Sequence, residues 1–373
     1  MFNRSGGELL RGYASYPFAK ARHRNTDGQT SIGSSPRWMF VHRCKHFKKN
    51  SVMNAAPLLV SFSDLNKFIV AMSHSQRDSY QDEINTLISK SFPPVVSESC
   101  LALLFGYSTD FVYAMSKKQD KFYRTFTINS GKKVRKIHSP KVALKVIQKW
   151  IAEHLSRALT FEPHVTGFVK GKSFADAAYM HIGATWVLSR DIKDFFPSVK
   201  EDQVINSLRK IGYSEQGATL VARLSCLKGV LAQGSPLSPV LSNLVLKEVD
   251  GHLLKLSKQY SVTMSRYADD IVISGKDYYN SEIEQELDKV FEQSSFNLNK
   301  NKVYFADATK GQRLKVHGLL LKSDKITLTK GYRNKLRAYK HMLDNKKVCE
   351  DDLPRIIGHV KYMEFINSKS FSK

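Results

Sequence analysis

Apolar residues at helical spacing begin at about residue 57 of the chain. They recur every three to four positions over residues 57–90, over residues 101–115 and again after Pro140, a period typical of helices that pack on a core. Ser63 is placed to cap the first helix, and Gly106 to end a turn of a later one. The helix after Pro140 carries apolar residues on two faces, so we expect both faces to be buried.

Strand patterns begin with a predicted hairpin. Residues 122–128 and 134–137 alternate between apolar and polar side chains, and the segment between them holds Asn, Ser and Gly, which favour turns. Further strands are predicted for residues 187–191 and for the β-branched run over residues 271–273. These patterns predict a middle region that is rich in strands.

The later patterns are mainly helical. Helices are predicted for residues 174–181, 204–211, 219–227, 237–256, 281–291 and the basic segment from residue 330 onward. Pro239 lies near the start of the long helix over 237–256, where proline is tolerated. Residues 297–303 are predicted as a turn that leads into a strand.

Two adjacent carboxylates, Asp269 and Asp270, lie between two extended segments. The simplest prediction is a β-hairpin with the acidic pair at its tip. Two like charges this close raise each other's pKa, and a divalent cation would remove that repulsion. A polar turn without a ligand is the alternative, because Asp is common in turns.

A third carboxylate, Asp191, ends the predicted strand over 187–191 and precedes two aromatic residues and a proline. Two strand ends of one sheet that converge would place three carboxylates around one position. Mg²⁺ prefers few protein carboxylates together with substrate phosphates. Two such ions can stabilise both the attacking and the leaving oxygen of a phosphoryl displacement. The three aspartates therefore indicate nucleotidyl transfer.

Net charge indicates a polyanionic partner. The 373 residues include 58 Lys+Arg and 34 Asp+Glu, a net charge of +24, and such an excess favours nucleic acid. A basic protein without such a partner, or one that binds an acidic membrane surface, is the alternative. Residues 1–52 hold ten basic and two acidic residues, so a third of the charge lies in this segment.

The positions of the cysteines and of the apolar residues argue against a zinc-binding, a membrane-spanning or a secreted protein. The four cysteines, at positions 44, 100, 226 and 349, are far apart and form no zinc-binding pattern. A reduced cytosolic compartment fits them. No apolar run approaches the 18 residues of a membrane-spanning helix, and the N-terminus lacks the apolar core of a signal peptide. We therefore expect a cytoplasmic protein without a membrane partner.

Three motifs resemble those of reverse transcriptases and occur in that family's order. Residues 267–270, Tyr-Ala-Asp-Asp, match the YADD box. Residues 191–198 resemble the first metal motif, and residues 233–239, Gln-Gly-Ser-Pro-Leu-Ser-Pro, resemble the substrate-binding motif between them. The similarity runs from about residue 122 to about residue 321. Within the family, bacterial retron-type enzymes resemble the chain most.

This resemblance implies an α+β right-hand polymerase: a palm of antiparallel sheet and helices, fingers with a hairpin, and a small helical thumb. Residues 56–185 would form N-terminal helices and fingers, and residues 312–373 the primer grip and thumb. Residues 186–311 would form the palm, with inserted fingers helices at about 201–232. Residues 1–55 would be a disordered basic arm; an arm that binds nucleic acid, or an incorrect start site, is the alternative.

The resemblance also implies a metal site with two Mg²⁺ ions, or Mn²⁺ in their place. Its ligands would be Asp191, Ile192, Asp269 and Asp270. The ions would lower the pKa of the attacking 3′-hydroxyl and neutralise charge on the pyrophosphate. Lys302 would join the three aspartates in catalysis by protonating the leaving pyrophosphate; a surface lysine without this role is the alternative.

The implied dNTP site comprises Arg135, Phe196, Gln233 and Gly234. Arg135 would bind the triphosphate, and Phe196 would lie under the deoxyribose, where a 2′-hydroxyl would clash with its ring. Gln233 and Gly234 would pack beside the nascent base pair, because a missing side chain allows close approach. A solvated basic hairpin and a core phenylalanine are the alternatives.

Nucleic-acid contacts are implied in three places. His181 ends a segment where retron enzymes carry Asn-Ala-x-x-His, here with Ala in place of Asn; it would contact RNA or be a structural histidine. Gly318 lies in the primer-grip segment, where His317 replaces the family's usual Thr. The thumb would offer basic side chains to phosphates, unless its helix is only a solvated face: Arg333, Lys335, Arg337 and Lys340.

The implied function is RNA-directed DNA polymerisation from dNTPs. A retron enzyme would copy a structured non-coding RNA, prime from a 2′-hydroxyl of that RNA, and give a branched RNA–DNA product in anti-phage defence, with an effector protein as partner. Another bacterial defence enzyme or a group II intron-like reverse transcriptase is the alternative within the family. A catalytically dormant RNA-binding scaffold is the alternative outside it, and primer extension with and without Mg²⁺ distinguishes the two.

Overall fold

The computed structural model describes residues 59–130 and 133–371. The predicted basic arm over residues 1–55 lies outside these ranges. The outer part of the predicted hairpin, residues 127–135, belongs to one compact unit, and residues 55–126 with 136–373 belong to another. All described helices and the three aspartates lie in this second, larger unit.

Helices and short strands make up most of the described chain. The helices are α1 Leu65–Ala71, α2 His74–Ser89, α3 Glu98–Phe105, α4 Thr109–Lys117, α5 Val142–Ala158, α6 Phe174–Met180, α7 Phe195–Ser198, α8 Glu201–Ile211, α9 Glu215–Ser225, α10 Ser238–Val245, α11 Lys247–Gln259, α12 Glu282–Glu292, α13 Lys330–Asp344 and α14 Leu353–Phe371. The strands are β1 Tyr123–Ser130, β2 Lys133–Pro140, β3 Trp186–Ile192, β4 Cys226–Leu227, β5 Val230–Leu231, β6 Thr263–Tyr267, β7 Asp270–Gly275, β8 Leu298–Asp307, β9 Lys315–Val316, β10 Leu319–Leu321 and β11 Ile326–Leu328.

A four-stranded antiparallel sheet in the order β6-β7-β3-β8 forms the middle of the larger unit. A second antiparallel sheet has the order β11-β10-β9, and β1-β2 and β4-β5 form two-stranded sheets. The mixture of helices with antiparallel sheets confirms the α+β fold. The predicted borders between fingers, palm and thumb stay predictions.

The two faces of the central sheet bury different side chains, because side chains alternate along a strand. Ile271 of β7 packs into the larger apolar cluster, which includes helices α3–α5 and α8–α12. Val187 and Val272 pack into a smaller cluster with α6, α13, α14 and the second sheet. Asp191 and Asp270 are cross-strand partners and share the alternation of these valines. Both carboxylates therefore lie on the face of the smaller cluster.

The N-terminal helices confirm the helical prediction and correct two of its details. Asp64, rather than Ser63, caps α1: its carboxylate accepts the N–H of Lys67 at 2.9 Å, and an anion suits a helix N-terminus. Gly106 ends α3 with a left-handed φ of +67°, as predicted. The helix α5 buries one face rather than two. Val142 and Val146, which share the other face, are 80% and 45% exposed.

The predicted long helix over 237–256 is two helices that meet at Leu246. That residue has a ψ of −1°, far from the usual helical value of about −42°, so α10 and α11 are separate. Asn243 of α10 and Asp250 of α11 lie on either side of the break, and both are buried. The break lies between two polar side chains that bind the same arginine, as described below.

The C-terminal part joins the second sheet to two helices. Leu336 of α13 and Ile366 of α14 are buried in the smaller cluster with residues of β9–β11. Four basic residues of α13 are exposed: Arg333, Lys335, Arg337 and Lys340. None of the described helices has the length and apolar content needed to cross a bilayer.

Candidate active site

The β6–β7 hairpin presents the acidic pair at its tip, as the sequence pattern predicts. Tyr267 pairs with Asp270 at the last position of the ladder, so Ala268 and Asp269 form a two-residue turn. Ala268 has a φ of +59°, a left-handed value that costs a non-glycine residue about 1–3 kcal/mol. The turn frees Asp269 from strand alternation, so its carboxylate can lie near that of the next residue.

Asp191 joins the pair from the neighbouring strand. It is the cross-strand partner of Asp270, and the N–H of Ile192 donates to the carbonyl of Asp269 at 2.9 Å. One carboxylate oxygen from each of the three aspartates lies within 4.8 Å of the other two. The structure thus brings together three of the four predicted metal ligands through their side chains.

The pairing of β3 with β8 is irregular at Asp191. The register with β8 shifts between Arg190, which pairs with Val303, and Ile192, which pairs with Leu298. On β3 only Asp191 lies within the shift, whereas β8 has residues 299–302 there, and irregular pairing of this kind is common beside active sites. The contact of Ile192 with the acidic turn is through its main-chain N–H. Its predicted role as a metal ligand stays a prediction.

Lys302 of β8 contributes a cation at the edge of the carboxylate cluster. Its Nζ donates to Oδ2 of Asp191 at 2.6 Å, and its side chain is 41% exposed. An ammonium group at this distance forms an ion pair with the carboxylate. The predicted transfer of a proton from Lys302 to pyrophosphate stays a prediction.

The electrostatics of the cluster favour a bound cation. Burial raises the pKa of Asp269 to about 6, and the carboxylates of Asp270 and Asp191 add to the shift. Asp269 therefore holds its proton more tightly than an ordinary aspartate, and a cation that replaces the proton relieves the repulsion. Hard divalent cations such as Mg²⁺ bind carboxylate oxygens, so the residues of this cluster fit such an ion.

His181 is a structural histidine, and the prediction that it contacts RNA is wrong. Its side chain is 1% exposed. Its Nδ1 is hydrogen-bonded to Ser274 and its Nε2 to Ser265, each at 2.7 Å. Burial lowers the pKa of His181 to about 3, so the ring is neutral. Because both nitrogens are occupied by serine hydroxyls, His181 joins the end of α6 to the β6–β7 hairpin.

His317 is a neighbour of the acidic pair that the sequence marks only as a departure from the family pattern. Its Nδ1 lies 3.6 Å from Oδ2 of Asp270, and its ring centroid lies 5.2 Å from that of Tyr267. His317 and Gly318 form the two-residue turn between β9 and β10, with φ values of +47° and +79°. A turn with two positive φ values suits a tight hairpin. The predicted primer contact at Gly318 stays a prediction.

Phe196, the predicted gate against a 2′-hydroxyl, lies on the short helix α7 and is half-buried. Its ring centroid is 5.2 Å from that of Phe195 and 6.0 Å from that of Phe168. Contacts between aromatic rings at these distances hold the side chain in place. A fixed aromatic ring is what a steric gate requires, and the gate itself stays a prediction.

The reason for a glycine at position 234 differs from the one predicted. A Cβ on Gly234 would lie 2.7 Å from the carbonyl oxygen of His138, and its φ is +130°. The carbonyl of Gln233 accepts the N–H of His138 at 2.8 Å. The close approach that needs glycine is therefore to the backbone of β2 rather than to a base pair. Contacts of Gln233 and Gly234 with a dNTP stay predictions.

The remaining predicted ligands are exposed basic side chains. Arg135 lies on β2, in the compact unit of residues 127–135. The other four are exposed residues of α13: Arg333, Lys335, Arg337 and Lys340. Exposure leaves all five side chains accessible to phosphates, and their contacts stay predictions.

Comparison with known proteins identifies the family. Residues 117–333 match the family described as reverse transcriptase (RNA-dependent DNA polymerase). The chain is 27% identical over 288 residues to the retron Ec86 reverse transcriptase of Escherichia coli, which covers 77% of this chain and 86% of that protein. It is 30% identical over 316 residues to the retron Mx65 reverse transcriptase of Myxococcus xanthus, which covers 78% of this chain and 73% of that protein.

Among solved structures, telomerase from Candida albicans in complex with a fragment of telomeric RNA is similar. The match covers 66% of this chain and 55% of that chain, with 12% identity and a TM-score of 0.40.

The family match includes Asp191, Asp269, Asp270 and Lys302 and spans more than half of the chain. The α+β fold with its antiparallel sheet is consistent with a palm, fingers and thumb. The departures from the retron motifs, an alanine where Asn is usual and His317 where Thr is usual, do not separate the chain from these relatives. The protein is an RNA-directed DNA polymerase and belongs to the reverse transcriptase family, among its retron-type members.

Proposed function

We propose that this enzyme copies a structured non-coding RNA into DNA at the cluster formed by Asp191, Asp269 and Asp270. The observation that carries the proposal is the approach of their carboxylate oxygens to within 4.8 Å of one another. Anionic oxygens so close together repel one another unless a cation binds between them. Divalent cations that also bind substrate phosphates suit such a site.

The three aspartates would hold two Mg²⁺ ions, or Mn²⁺ in their place, with Ile192 as a further ligand. Bound there, the ions would supply the charge that lowers the pKa of the primer hydroxyl and stabilises the leaving pyrophosphate. The chain itself keeps the anionic oxygens together where β3 ends and β7 begins. Lys302, which already contacts Asp191, would deliver a proton to the pyrophosphate.

The dNTP would bind beside this cluster. Arg135 would contact the triphosphate as a charged donor, and Gln233 and Gly234 would lie next to the base pair. Phe196, held by the rings of Phe168 and Phe195, would pack under the sugar. A ring in that position leaves room for a deoxyribose and excludes a 2′-hydroxyl.

The substitution Phe196→Ala should therefore raise the use of rNTPs relative to dNTPs by roughly 10-fold or more, a size typical of steric discrimination. The measurement is the ratio of the two kcat/KM values in primer extension. Phe196→Tyr, which keeps the ring, should retain the selectivity of the native enzyme. An unchanged ratio in the alanine variant would show that Phe196 is not the gate.

RNA and its DNA product would bind to the exposed basic residues of α13, with Gly318 in the primer-grip turn. The side chains of Arg333, Lys335, Arg337 and Lys340 are exposed and carry the excess positive charge of this helix. Phosphates are the natural ligands of such a surface.

Membership among the retron-type enzymes supports a specific product. The template would be a structured non-coding RNA encoded nearby, a 2′-hydroxyl of that RNA would be the primer, and the product would be a branched RNA–DNA molecule. The enzyme would act in the bacterial cytoplasm, in defence against phage, together with an effector protein.

The nucleic acid that copurifies with the enzyme tests this proposal. We expect one DNA species that stays covalently linked to RNA through denaturing purification. Treatment with RNase should leave a short RNA remnant on the DNA, and sequencing should identify one template. DNA of many sequences without linked RNA would contradict the branched product while leaving polymerase activity intact.

Residues 1–52 should be dispensable for polymerisation. Their composition, rich in basic and small residues with little apolar periodicity, does not support a packed core. A protein that starts at Met53 should extend primers at a rate close to that of the full chain. If this shorter protein folds but has lost activity, the segment is part of the polymerase.

A further inference from the structure

A buried arginine is in contact with the acidic turn formed by Ala268 and Asp269. Arg266 is 0% exposed. Its Nε and Nη2 each donate to one carboxylate oxygen of Asp250 at 2.6 Å, a bidentate geometry. Its Nη1 donates to Oδ1 of Asn243 and to the carbonyl of Ala268, each at 3.1 Å. One side chain thus connects α10, α11 and the turn that carries Asp269.

A loop closes the other side of the same turn. Residues 164–167 pair with the backbone of Arg266. Gly167 lies so close to the turn that a Cβ on it would be 2.1 Å from the backbone nitrogen of Ala268. The Nδ2 of Asn243 donates to the carbonyl of Gly167 at 2.9 Å. The loop, the asparagine and the arginine therefore form one network around Ala268.

This network surrounds the strained residue of the site. Ala268 has a left-handed φ of +59°, and such a conformation persists in a non-glycine residue only when its surroundings impose it. The donor from Arg266 binds the carbonyl of Ala268, and Gly167 packs against its nitrogen. The peptide groups on both sides of Ala268 are thus in contact with this network. The second of them is the peptide bond to Asp269.

We propose that Arg266, with Asp250 and Asn243, positions the acidic turn so that the carboxylate of Asp269 meets those of Asp191 and Asp270. Arg266 touches neither substrate nor the proposed metals; it is a positioning residue that acts through the backbone of Ala268. This inference rests on the proposed metal-binding role of the three aspartates.

A purely stabilising role for the buried ion pair makes a different prediction. Replacing both partners of a buried pair by apolar residues is often neutral or stabilising, because no charge is left unpaired. The double variant Arg266→Met/Asp250→Leu should therefore fold, but the carbonyl of Ala268 would lose its donor. A stabilising role predicts normal metal binding in this variant, whereas a positioning role predicts weak metal binding.

The experiment measures Mn²⁺ binding by electron paramagnetic resonance, thermal unfolding, and primer extension on the full-length protein. Loss of an indirect partner of a metal ligand typically lowers metal affinity by about 10- to 100-fold, and we expect this loss in the double variant without a lowered melting temperature. Arg266→Lys keeps the charge opposite Asp250 but cannot reproduce the planar fork that also reaches Ala268, so it should show the same loss.

Gln148→Leu is the matched control. Gln148 is also 0% exposed and donates to Tyr123 and to the carbonyl of Leu224, with no bond to the acidic turn. This control should lower the melting temperature and leave Mn²⁺ affinity unchanged.

Two results separate this inference from the proposed metal site. If the native protein binds Mn²⁺ no better than Asp269→Asn does, the metal site itself is wrong. If the native protein binds Mn²⁺ tightly and Arg266→Met/Asp250→Leu binds it equally well, the positioning role is wrong and the network only stabilises the fold.

Discussion

Replacing Asp269 with asparagine should abolish dNTP incorporation while leaving RNA binding nearly unchanged. An amide has almost the shape of a carboxylate but lacks the anionic oxygen that a divalent cation needs. Loss of even an indirect partner of a metal ligand costs about 10- to 100-fold, so loss of the ligand itself should cost more. The measurements are single-turnover primer extension and RNA affinity of the purified variant.

The same substitution should not destabilise the metal-free protein above pH 6. Burial and the neighbouring carboxylates raise the pKa of Asp269 to about 6. A raised pKa means that the native state loses stability as the pH rises through about 6, because the ionised carboxylate is then held in an unfavourable place. Asparagine cannot ionise. Its free energy of unfolding should therefore exceed that of the native protein above pH 6 and approach it near pH 4.

Asp277→Asn is the control for both measurements. Asp277 follows β7 and is exposed, so the same change of charge there should leave activity and pH dependence as they are. Substantial polymerisation by cleanly purified Asp269→Asn would contradict the assignment of the metal site.

The acidic cluster could be predicted from the sequence, because two of its aspartates are adjacent in the chain and the third needs only a simple strand pairing to join them. The turn between two extended segments places Asp269 and Asp270 together. A strand that ends in Asp191 needs only antiparallel pairing with β7 to bring the third carboxylate beside them. Alternation then decides the face, and the valines next to these aspartates already indicate that this face is buried.

The contacts of His181 and Gly234 could not be predicted from the sequence, because both depend on tertiary packing. Whether a histidine at the end of a helix meets solvent or a sheet depends on how that helix packs. Here α6 packs on the β6–β7 hairpin, and two serines from different strands bind the ring. Gly234 is required by the carbonyl of His138, a residue almost a hundred positions earlier. Neither contact leaves a signal in the local sequence.

The burial of Arg266 could not be predicted from the sequence for a related reason. An arginine next to a polar motif such as residues 267–270 is usually expected at the surface, because burying its charge is costly unless it is paired. Its partner Asp250 and its second acceptor Asn243 lie on two helices that the apolar pattern merges into one. Only the break at Leu246, the packing of α11 on β6 and the contact of Asn243 with Arg266 show that the charge is paired and buried.

The exposed basic residues of α13 provide the second large effect, which is on nucleic-acid binding. Changing Arg333, Lys335, Arg337 and Lys340 together to Gln should weaken binding of RNA and of template–primer. Each phosphate contact on duplex DNA contributes about 0.9 log units of affinity per tenfold change in salt, and RNA should behave similarly with a slope that depends on its form. Four such contacts amount to about 10²-fold in affinity between roughly 50 and 200 mM salt.

The variant should therefore bind more weakly at low salt and lose less affinity as salt rises, so its salt dependence should be flatter than that of the native enzyme. Its rate at saturating template should change little, because none of the four side chains belongs to the acidic cluster. The matched control changes four exposed lysines of α1, α11 and α12 to Gln and removes the same charge: Lys67, Lys247, Lys258 and Lys289. If the α13 variant remains folded and keeps the affinity and salt slope of the native enzyme, or if the control loses as much, α13 is not the nucleic-acid clamp. A loss confined to the α13 variant would show that α13, rather than the overall charge of +24, holds the nucleic acid.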